Sequence, residues 1–331
     1  MKIPRLLLPV FLLVTTLTWA QTYKYMRIGQ PADAHTVPTA GTAMMGGGKD
    51  LDEAFRWLCN KASGGDFLIL RFHGDDAYNP YVNDLCKANS VATLIIPSHE
   101  AAQDPKVAEI IRQAEAVFIA GGDQAFYVNY WKGSPVQDAV NANVAAGKPI
   151  GGTSAGLAIL GEFNYGALGD KPDDEDLTSA RVLVSPFHPR VTLVRDFLKV
   201  PYLQNTLTDS HFARRDRMGR TLVFLARLMQ DGWSSDPREI AIDEKSALLV
   251  EGDGSATVVG GGLGVYLIHP TAAPKVCKPD TPLTFQEIDI HHLPKGAHFN
   301  VDKWKGNDGN KYSISVNQGV ASSTQPGGSL Y

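Results

Sequence analysis

Four short apolar runs alternate with longer amphipathic stretches in the first half of this chain, and they constrain its fold more than any other feature. The runs are residues 67–72, 91–96, 116–120 and 149–152. Strands this apolar are typical of sheets covered on both faces, and the amphipathic stretches suit helices that connect parallel strands. The pattern therefore predicts an α/β fold, a three-layer sandwich around a mainly parallel sheet.

Helices are predicted in the stretches beside these strands. We place them at residues 52–59, 105–113 and 135–146. The second and third open with Pro105 and Pro135, which suit a first helical turn because its amides need no intrahelical partner. A longer helix is predicted at residues 213–229, where apolar side chains recur on one face.

The chain changes character after residue 239. Short strands broken by glycines are predicted at residues 240–242, 247–250, 257–259 and 265–268. They give the α/β domain, residues 21–270, a β-rich end. Beyond Pro270 the sequence is polar and contains several prolines. We therefore expect residues 271–331 to form a C-terminal extension, with a strand at 284–290 and a disordered last stretch.

The N-terminus predicts export. Lys2 and Arg5 precede an apolar run at residues 6–19, and the small residue Ala20 precedes a polar stretch. A membrane-spanning helix needs about 20 apolar residues, so a signal peptide at residues 1–20, cleaved after Ala20, explains this shorter run better than an uncleaved anchor. We expect a secreted or periplasmic protein without a stable membrane anchor.

Composition narrows the choice of partner. A chain with 44% hydrophobic and 20% charged residues is soluble and globular, and its net charge of -4 gives no reason to expect nucleic acid. The spacings of Cys59, Cys86 and Cys277 fit no zinc motif, and no metal or cofactor is expected. An oxidising compartment would permit one disulfide, but buried, unpaired cysteines are the favoured interpretation. The expected partner is a peptide or another small molecule.

The pentapeptide Gly152-Thr153-Ser154-Ala155-Gly156 follows the fourth apolar run. A serine hydroxyl needs an exposed turn, a positioned base and oxyanion donors before it can act as a nucleophile. A G-x-S-x-G turn between a strand and a helix exposes the central serine, although the same pattern also occurs as a plain tight turn. Ser154 is therefore the candidate nucleophile of a serine peptidase.

A second glycine turn, at residues 121–124, ends the preceding apolar run. Ligands bind at the carboxyl ends of parallel strands, so this turn and the serine turn should lie side by side. The amides of Gly122 and Ala155 are then the candidates for an oxyanion hole. The alternative is that Gly121 and Gly122 merely permit a positive φ.

His211 is the candidate base, and Glu244 is the candidate carboxylate that orients it. His211 stands just before the helix predicted at residues 213–229, and its imidazole can titrate near neutrality. Glu244 follows a predicted strand on which its neighbour Asp243 would face the opposite side. The acidic stretch at residues 173–176 is the rival source of this carboxylate.

Arg214, Arg215, Arg217 and Arg220 crowd the predicted start of that helix. Cations there oppose the helix macrodipole, at a cost of up to about 1 kcal/mol. Such a cost indicates a function, because a planar guanidinium binds a carboxylate through paired hydrogen bonds. The alternative is a solvated helix face.

Two further glycine-rich segments, residues 46–48 and 260–264, have the glycine content of phosphate-binding loops but not their pattern. The first precedes Lys49 and Asp50 but lacks the first glycine of such a loop. The second lies between late strands rather than before a helix. Neither segment indicates nucleotide binding.

Taken together, the motifs resemble the cyanophycinase branch of the S51 serine peptidases. The matching segments are Gly121-Gly122-Asp123-Gln124, Gly152-Thr153-Ser154-Ala155-Gly156, Asp209-Ser210-His211-Phe212 with Arg215, Arg217, Gly219 and Arg220, and Ile242-Asp243-Glu244. They occur in the family order, and the resemblance spans residues 44–268. It implies a flavodoxin-like fold similar to the class I glutamine amidotransferases, with serine in place of their cysteine nucleophile, and a homodimer.

The resemblance also implies roles for single residues. Ser154 would be the nucleophile, His211 the base and Glu244 its orienting partner. The implied substrate pocket consists of Gln124, Asp209, Arg215, Arg217 and Arg220. Cyanophycinases cleave the storage polymer cyanophycin to β-Asp-Arg dipeptides, so the expected substrate is cyanophycin or a related aspartyl peptide. Ser210 replaces a glutamine often seen in cyanophycinases, a departure that bears on the substrate more than on the chemistry. The alternatives are an acidic or isoaspartyl dipeptidase and a non-catalytic peptide-binding protein.

Overall fold

The computed structural model describes residues 22–171 and 176–331, so the predicted signal peptide lies outside the described residues. The strands are β1 Lys24–Gly29, β2 Gly41–Met45, β3 Asp66–Arg71, β4 Ser90–Ile95, β5 Ala116–Ile119, β6 Ile150–Thr153, β7 Phe163–Tyr165, β8 Leu193–Arg195, β9 Thr206–Asp209, β10 Arg238–Ile242, β11 Ser246–Glu251, β12 Ser255–Gly260, β13 Val265–Pro270, β14 Val276–Lys278, β15 Thr281–Leu293, β16 His298–Asn300, β17 Asn310–Asn317 and β18 Val320–Ser323. The helices are α1 Asp52–Lys61, α2 Tyr78–Cys86, α3 His99–Ala102, α4 Pro105–Gln113, α5 Gln124–Trp131, α6 Pro135–Ala145, α7 Ala155–Ala158, α8 Ser179–Val184 and α9 Met218–Gln230. No helix in the two described ranges has the length and apolar character that a bilayer crossing requires.

The first sheet has the strand order β1-β4-β3-β5-β6-β2-β11-β12-β16. Its five central strands, from β4 to β2, run parallel, and the strands on both flanks are antiparallel. The order β4-β3-β5-β6 is that of a doubly wound, flavodoxin-like sheet, whose winding reverses between β3 and β5. The predicted parallel sheet is confirmed, with the four apolar runs at its centre.

Helices cover both faces of this sheet. On one face Leu68 of β3 shares a buried cluster with Ile111 of α4 and Val140 of α6. On the other face Phe67, the neighbour of Leu68, shares a cluster with Phe55 of α1. Successive strand residues point to opposite faces, so burial on both sides explains why the run is apolar from Phe67 to Leu70. These layers are the predicted three-layer sandwich.

The second sheet has the order β18-β17-β15-β13-β10-β9-β7-β8, and β14 pairs with β15. Strand β9 is parallel to β10 and β7, whereas the other pairs are antiparallel. Helix α9 packs against this sheet, because Leu222 and Leu225 share a buried cluster with Phe285 and Ile288 of β15. The carboxyl ends of β9 and β10 lead into the loops that carry the candidate site.

The strand expected at residues 284–290 lies within β15, but the expected disorder of the last stretch is wrong. Residues 271–331 supply β14 to β18, and Ile288, Ile290, Ile314 and Val316 on two of these strands are buried. A half-buried strand has a polar side chain at every second position. The average composition of such a segment therefore resembles that of a polar loop.

Cys59 and Cys86 form a disulfide, which corrects the expectation of unpaired cysteines. They lie near the ends of α1 and α2, and the packing of these helices brings their Cα atoms to 5.8 Å, a separation that a disulfide can bridge. Cys277 is buried and free. Burial raises the pKa of its thiol to about 11, so it stays protonated at neutral pH.

Candidate active site

Ser154 lies on a strained turn at the carboxyl end of β6. Its φ of 52° and ψ of -116° place it in a region that residues other than glycine rarely adopt. Helix α7 begins at the next residue, and the Ser154 N–H donates to the Met45 carbonyl oxygen at 3.2 Å. A sharp turn of this kind exposes a serine hydroxyl at the end of a sheet.

Two glycines make the turn possible. A Cβ at Gly152 would lie 2.5 Å from the Gly156 carbonyl oxygen, and a Cβ at Gly156 would lie 2.1 Å from the Ile119 carbonyl oxygen. Both distances are shorter than a side chain tolerates beside a backbone atom. Strand and helix can therefore approach this closely only with glycine at both positions.

The glycine turn after β5 lies beside Ser154, as predicted, because β5 and β6 are neighbours in the sheet. A Cβ at Gly121 would lie 3.4 Å from the Ser154 Cβ. Gly122 and Ala155 line the same cavity as Ser154, and neither amide donates to a backbone acceptor within the described ranges. Free amides beside a reactive hydroxyl are what an oxyanion hole requires.

Ser154, His211 and Glu244 form a continuous hydrogen-bonded chain. The Ser154 Oγ lies 2.8 Å from His211 Nε2, and His211 Nδ1 lies 2.7 Å from Glu244 Oε1. His211 follows β9 and Glu244 follows β10, and these strands are adjacent and parallel. Asp243 instead accepts the N–H of Arg214 at 2.9 Å. The rival residues 173–175 lie outside the described ranges.

The surroundings of His211 favour its neutral form. Burial lowers the pKa of His211, and the charges of Arg215 and Arg217 lower it further, although the hydrogen bond with Glu244 opposes them. The hydrogen bond with His211 lowers the pKa of Glu244, which is therefore an ionised carboxylate. With Nδ1–H donating to Glu244, Nε2 is the nitrogen that can accept the Ser154 proton.

The glycine run at residues 46–48 supports the hydrogen-bonded Ser154–His211–Glu244 series, although its sequence pattern did not indicate a functional site. The Gly46 carbonyl oxygen accepts a hydrogen bond from the backbone N–H of His211 at 2.8 Å. A Cβ at Gly48 would lie 3.1 Å from Glu244 Oε2. Because residues 46–48 have no side chains, their backbone can pass close to His211 and Glu244.

The other glycine-rich segment, residues 260–264, supports Glu244 from the next turn. The amides of Gly261 and Gly262 donate to the carbonyl oxygen of Lys245 at 2.8 and 3.1 Å. A Cβ at Gly262 would lie 1.9 Å from the Glu244 carbonyl oxygen. This close backbone contact fixes the turn that presents the carboxylate.

A cavity of about 350 Å³ opens at Ser154 and His211. Its charged lining residues are the cations Lys171, Arg190, Arg215, Arg217 and Arg220 and the acids Asp123, Asp170 and Asp176. Gln124, the first residue of α5, also lines it. Among the described lining residues the cations outnumber the carboxylates, which suits an anionic group.

The arginines do not crowd a helix start as predicted. Helix α9 begins only after Arg217, so Arg220 alone among them lies on the helix. His211 and Asp216 both have a φ of 48°, a left-handed conformation that a right-handed helix cannot contain. Residues 211–217 therefore form a loop, called here the arginine loop, and the helix dipole opposes fewer cations than expected.

Asp209 was expected in the substrate pocket, but it is buried behind the arginines. Arg220 binds it through Nε at 2.8 Å and Nη2 at 2.6 Å, and Arg217 Nη1 lies at 3.2 Å. Although burial opposes its ionisation, the charges of Arg220 and Arg217 keep the pKa of Asp209 below its ordinary value. Burial lowers the pKa of Arg217 to about 10, so it remains charged at neutral pH. Asp209 anchors both guanidinium groups.

Glu239 on β10 completes this buried cluster, and its surroundings favour the neutral acid. Burial, together with the charge of Asp209, raises the pKa of Glu239 well above its ordinary value. Thr221 Oγ1 donates to Glu239 Oε1 at 2.7 Å. Asp209, Arg217 and Arg220 together carry one excess positive charge next to the cavity.

Asp176 bridges Arg215 and Arg217, two of the arginines that line the cavity. Its Oδ1 lies 3.3 Å from Arg217 Nη2, and its Oδ2 lies 3.4 Å from Arg215 Nη1. Although burial opposes its ionisation, the charges of Arg217 and Arg215 lower the pKa of Asp176. Both contacts are longer than the roughly 2.7–2.9 Å that is usual for charge-assisted hydrogen bonds.

Comparison with known proteins identifies the family. The sequence model of peptidase family S51 matches residues 72–258, which is more than half of the chain. The chain belongs to peptidase family S51. The cyanophycinase of Trichormus variabilis is 27% identical over 219 residues, which cover 65% of this chain and 66% of that protein, just under two thirds of its length. The cyanophycinase of Geminocystis herdmanii is 25% identical over 266 residues, covering 76% and 88% of the two chains.

The solved structures include a peptidase from an acI-B1 actinobacterium. It aligns with this S51 chain at a TM-score of 0.48 and 16% identity. The alignment covers 84% of this chain and 97% of the other.

One wall of the cavity in this S51 chain carries residues that the sequence motifs missed. Arg190 Nε lies 2.5 Å from Asp170 Oδ1, and the Tyr165 hydroxyl donates to Asp170 Oδ2 at 3.0 Å. Arg220 lies over the Tyr165 ring at 5.0 Å. No local pattern marks these residues, because they reach the cavity only through the pairing of β7 and β8.

Proposed function

We propose that this chain is a serine peptidase that cleaves an amide bond beside an aspartyl residue. Ser154 is the nucleophile, His211 the general base and Glu244 the carboxylate that orients it. The observation that carries the proposal is the hydrogen-bonded chain from Ser154 Oγ to Glu244 Oε1, which starts at a strained turn in a cationic cavity. Membership of family S51 supports the same chemistry.

Acyl transfer to Ser154 begins when His211 Nε2 takes the hydroxyl proton while Oγ bonds to the scissile carbonyl carbon. The carbonyl electrons move to the oxygen, and their return breaks the carbon–nitrogen bond. His211 gives its proton to the departing amine. Water then attacks the Ser154 ester by the same route, and the ionised Glu244 stabilises each imidazolium.

The amides of Gly122 and Ala155 are proposed to bind the oxyanion. Both lie on the turns that flank Ser154, and both line the cavity. Donors held by the backbone need no reorganisation when charge develops on the carbonyl oxygen, which makes them effective in this role.

The substrate carboxylate is proposed to bind Arg215 and Arg217. Both are bridged by Asp176 at distances that leave room for a tighter bond, so a ligand carboxylate can replace this contact. Asp209 holds Arg217 from behind, which reduces the freedom lost on binding. The side-chain amide of Gln124, which also lines the cavity, can donate a further hydrogen bond to the substrate. Because relatives are named cyanophycinase, we propose cyanophycin or a related aspartyl peptide as the substrate.

We also propose that the protein is exported and acts as a homodimer. The Cys59–Cys86 disulfide suits an oxidising compartment, as does the predicted signal peptide at residues 1–20. The dimer follows from the family resemblance. Fractionation of the producing cells tests export, and sedimentation equilibrium of the purified protein tests the dimer.

The nucleophile is tested with Ser154→Ala on insoluble cyanophycin and on a panel of β-aspartyl dipeptides that includes β-Asp-Arg. Hydrolysis should fall by about 10⁴-fold or more. Ser322→Ala is the matched control, because its hydroxyl donates only to the Ser315 carbonyl oxygen in an exposed strand. Full activity in the Ser154 variant would overturn the mechanism.

The substrate panel separates the alternatives. Cleavage of dipeptides without cleavage of the polymer would identify an acidic or isoaspartyl dipeptidase. Binding without cleavage, with Ser154 left unlabelled by a serine-directed inhibitor, would identify a non-catalytic peptide-binding protein.

A further inference from the structure

Tyr331 contacts the arginine loop from the far end of the sequence. Its ring packs edge-on against Phe212 and Tyr266, with centroid distances of 5.6 and 6.0 Å. Its hydroxyl accepts the N–H of Met218 at 2.7 Å and donates to Asp216 Oδ1 at 3.0 Å. A single phenol therefore joins the loop to the start of α9.

These contacts replace an ordinary helix cap. Arg217, at the N-cap position of α9, makes no side-chain hydrogen bond to the first amides. Tyr331 accepts the Met218 N–H, and Ser179 Oγ accepts the Gly219 N–H at 2.9 Å. The first amides of a helix have no intrahelical acceptor, so these two side chains secure the junction between loop and helix.

The same two side chains hold Asp216, which stands between Arg215 and Arg217. Ser179 Oγ donates to the Asp216 carbonyl oxygen, and Tyr331 donates to its carboxylate. The φ of Asp216 is 48°, and a residue in this conformation persists only where its surroundings fix it. A rotation at Asp216 would turn both neighbouring guanidinium groups relative to the cavity.

Tyr331 is itself held in place by the second sheet. The Tyr312 hydroxyl on β17 donates to the carbonyl oxygen of Leu330 at 2.9 Å. Gln325 Nε2 donates to the Ser329 carbonyl oxygen at 3.0 Å. Both contacts belong to the segment beyond residue 258, where the family match ends.

We infer that Tyr331 is a positioning residue for substrate recognition, whose hydroxyl fixes the Asp216 turn and thereby the directions of Arg215 and Arg217. The inference rests on the proposed role of these two arginines as the carboxylate site. It gives the C-terminal segment a part in recognition that its composition did not indicate.

Tyr331→Phe tests this, because it removes the hydroxyl and keeps the ring. With a soluble oligomer of β-Asp-Arg units as substrate and the full chain, KM should rise about 5-fold, the effect of one lost hydrogen bond, while kcat changes less than about 2-fold. In a Ser154→Ala background the Kd of the same oligomer, measured by calorimetry, should rise by the same factor. Tyr81→Phe is the matched control, since its hydroxyl donates to Asp52 Oδ1 at 2.7 Å on another face.

The outcomes distinguish this inference from the proposed function. An unchanged KM for Tyr331→Phe, or a fall in kcat alone, would overturn the positioning role. Amide hydrogen exchange at Met218 should also accelerate in this variant, and unchanged exchange would equally overturn it. If the wild-type chain neither binds nor cleaves β-aspartyl peptides, the proposed function fails, and the exchange rates still decide whether Tyr331 holds the loop.

Discussion

Gly47 lies directly against the imidazole ring of His211. A Cβ at Gly47 would be 2.5 Å from both Cε1 and Nε2 of the ring, and the φ of Gly47 is +91°, a conformation that favours glycine. His211 Nε2 is also the atom 2.8 Å from Ser154 Oγ. A side chain at Gly47 would therefore push the proposed base away from its nucleophile.

Gly47→Ala should lower kcat/KM about 100-fold, because a displacement of about 1 Å at a reacting group has effects of this size. The measurement is the initial rate of hydrolysis of a soluble oligomer of β-Asp-Arg units at several substrate concentrations. Gly147→Ala is the matched control, since Gly147 has a φ of +77° and nothing within 4 Å of an added Cβ. Equal activity in the two variants would show that the ring contact is unimportant.

When kcat/KM is plotted against pH, the midpoint of the acidic limb should lie below the ordinary histidine pKa of about 6.5. The base acts when it is neutral, so kcat/KM rises as pH increases through the pKa of His211 in the free enzyme. Burial and the charges of Arg215 and Arg217 lower this pKa. Arg215→Gln removes one of these charges, so the pKa should rise and the limb should move to higher pH.

The control for this shift is Arg112→Gln, which removes the same charge at an exposed position of α4. Its acidic limb should coincide with that of the wild type. A limb that moves to lower pH in Arg215→Gln would contradict the electrostatic assignment, whatever happens to the maximal rate.

Asp209→Asn should destabilise the fold by about 3–5 kcal/mol, because it leaves the buried Arg220 without its counter-charge and leaves Arg217 paired with the half-exposed Asp176. The side chain of Asp209 is 1% exposed and that of Arg220 is 3% exposed, so water cannot replace the carboxylate. Urea denaturation followed by circular dichroism measures the change. Glu109→Gln, which breaks an exposed pair with Lys106, should leave the midpoint unchanged, and a similarly small effect at Asp209 would refute the anchoring role.

Reduction of the Cys59–Cys86 disulfide should lower the free energy of unfolding of the protein. The two cysteines are 27 residues apart, and a loop of this length contributes about 3.5 kcal/mol by limiting the unfolded chain. The denaturation midpoint should fall on adding dithiothreitol. The double variant Cys59→Ala, Cys86→Ala should not respond to the reductant, whereas Cys277→Ala should respond like the wild type.

The arginine loop shows where local patterns mislead. Apolar periodicity predicted a helix from residue 213, yet α9 begins at Met218. Left-handed backbone at Asp216 keeps residues 213–217 out of the helix, and contacts from Ser179 and Tyr331 hold Asp216 in this conformation. Tertiary contacts of this kind override the helical preference of a few residues.

The sequence by itself determined the central parallel strands and the turn at Ser154, because each depends on residues that are adjacent in the chain. A strand buried on both faces must be apolar throughout, and the close approach of strand and helix requires Gly152 and Gly156. Such constraints are visible without coordinates.

Only the tertiary structure decided how distant residues meet. It placed Asp209 behind the arginines, joined Cys59 to Cys86 and brought Tyr331 to the arginine loop. It also set the Gly47 backbone against His211. These distances depend on the order of the strands and the packing of helices on the sheets, and no local pattern encodes them.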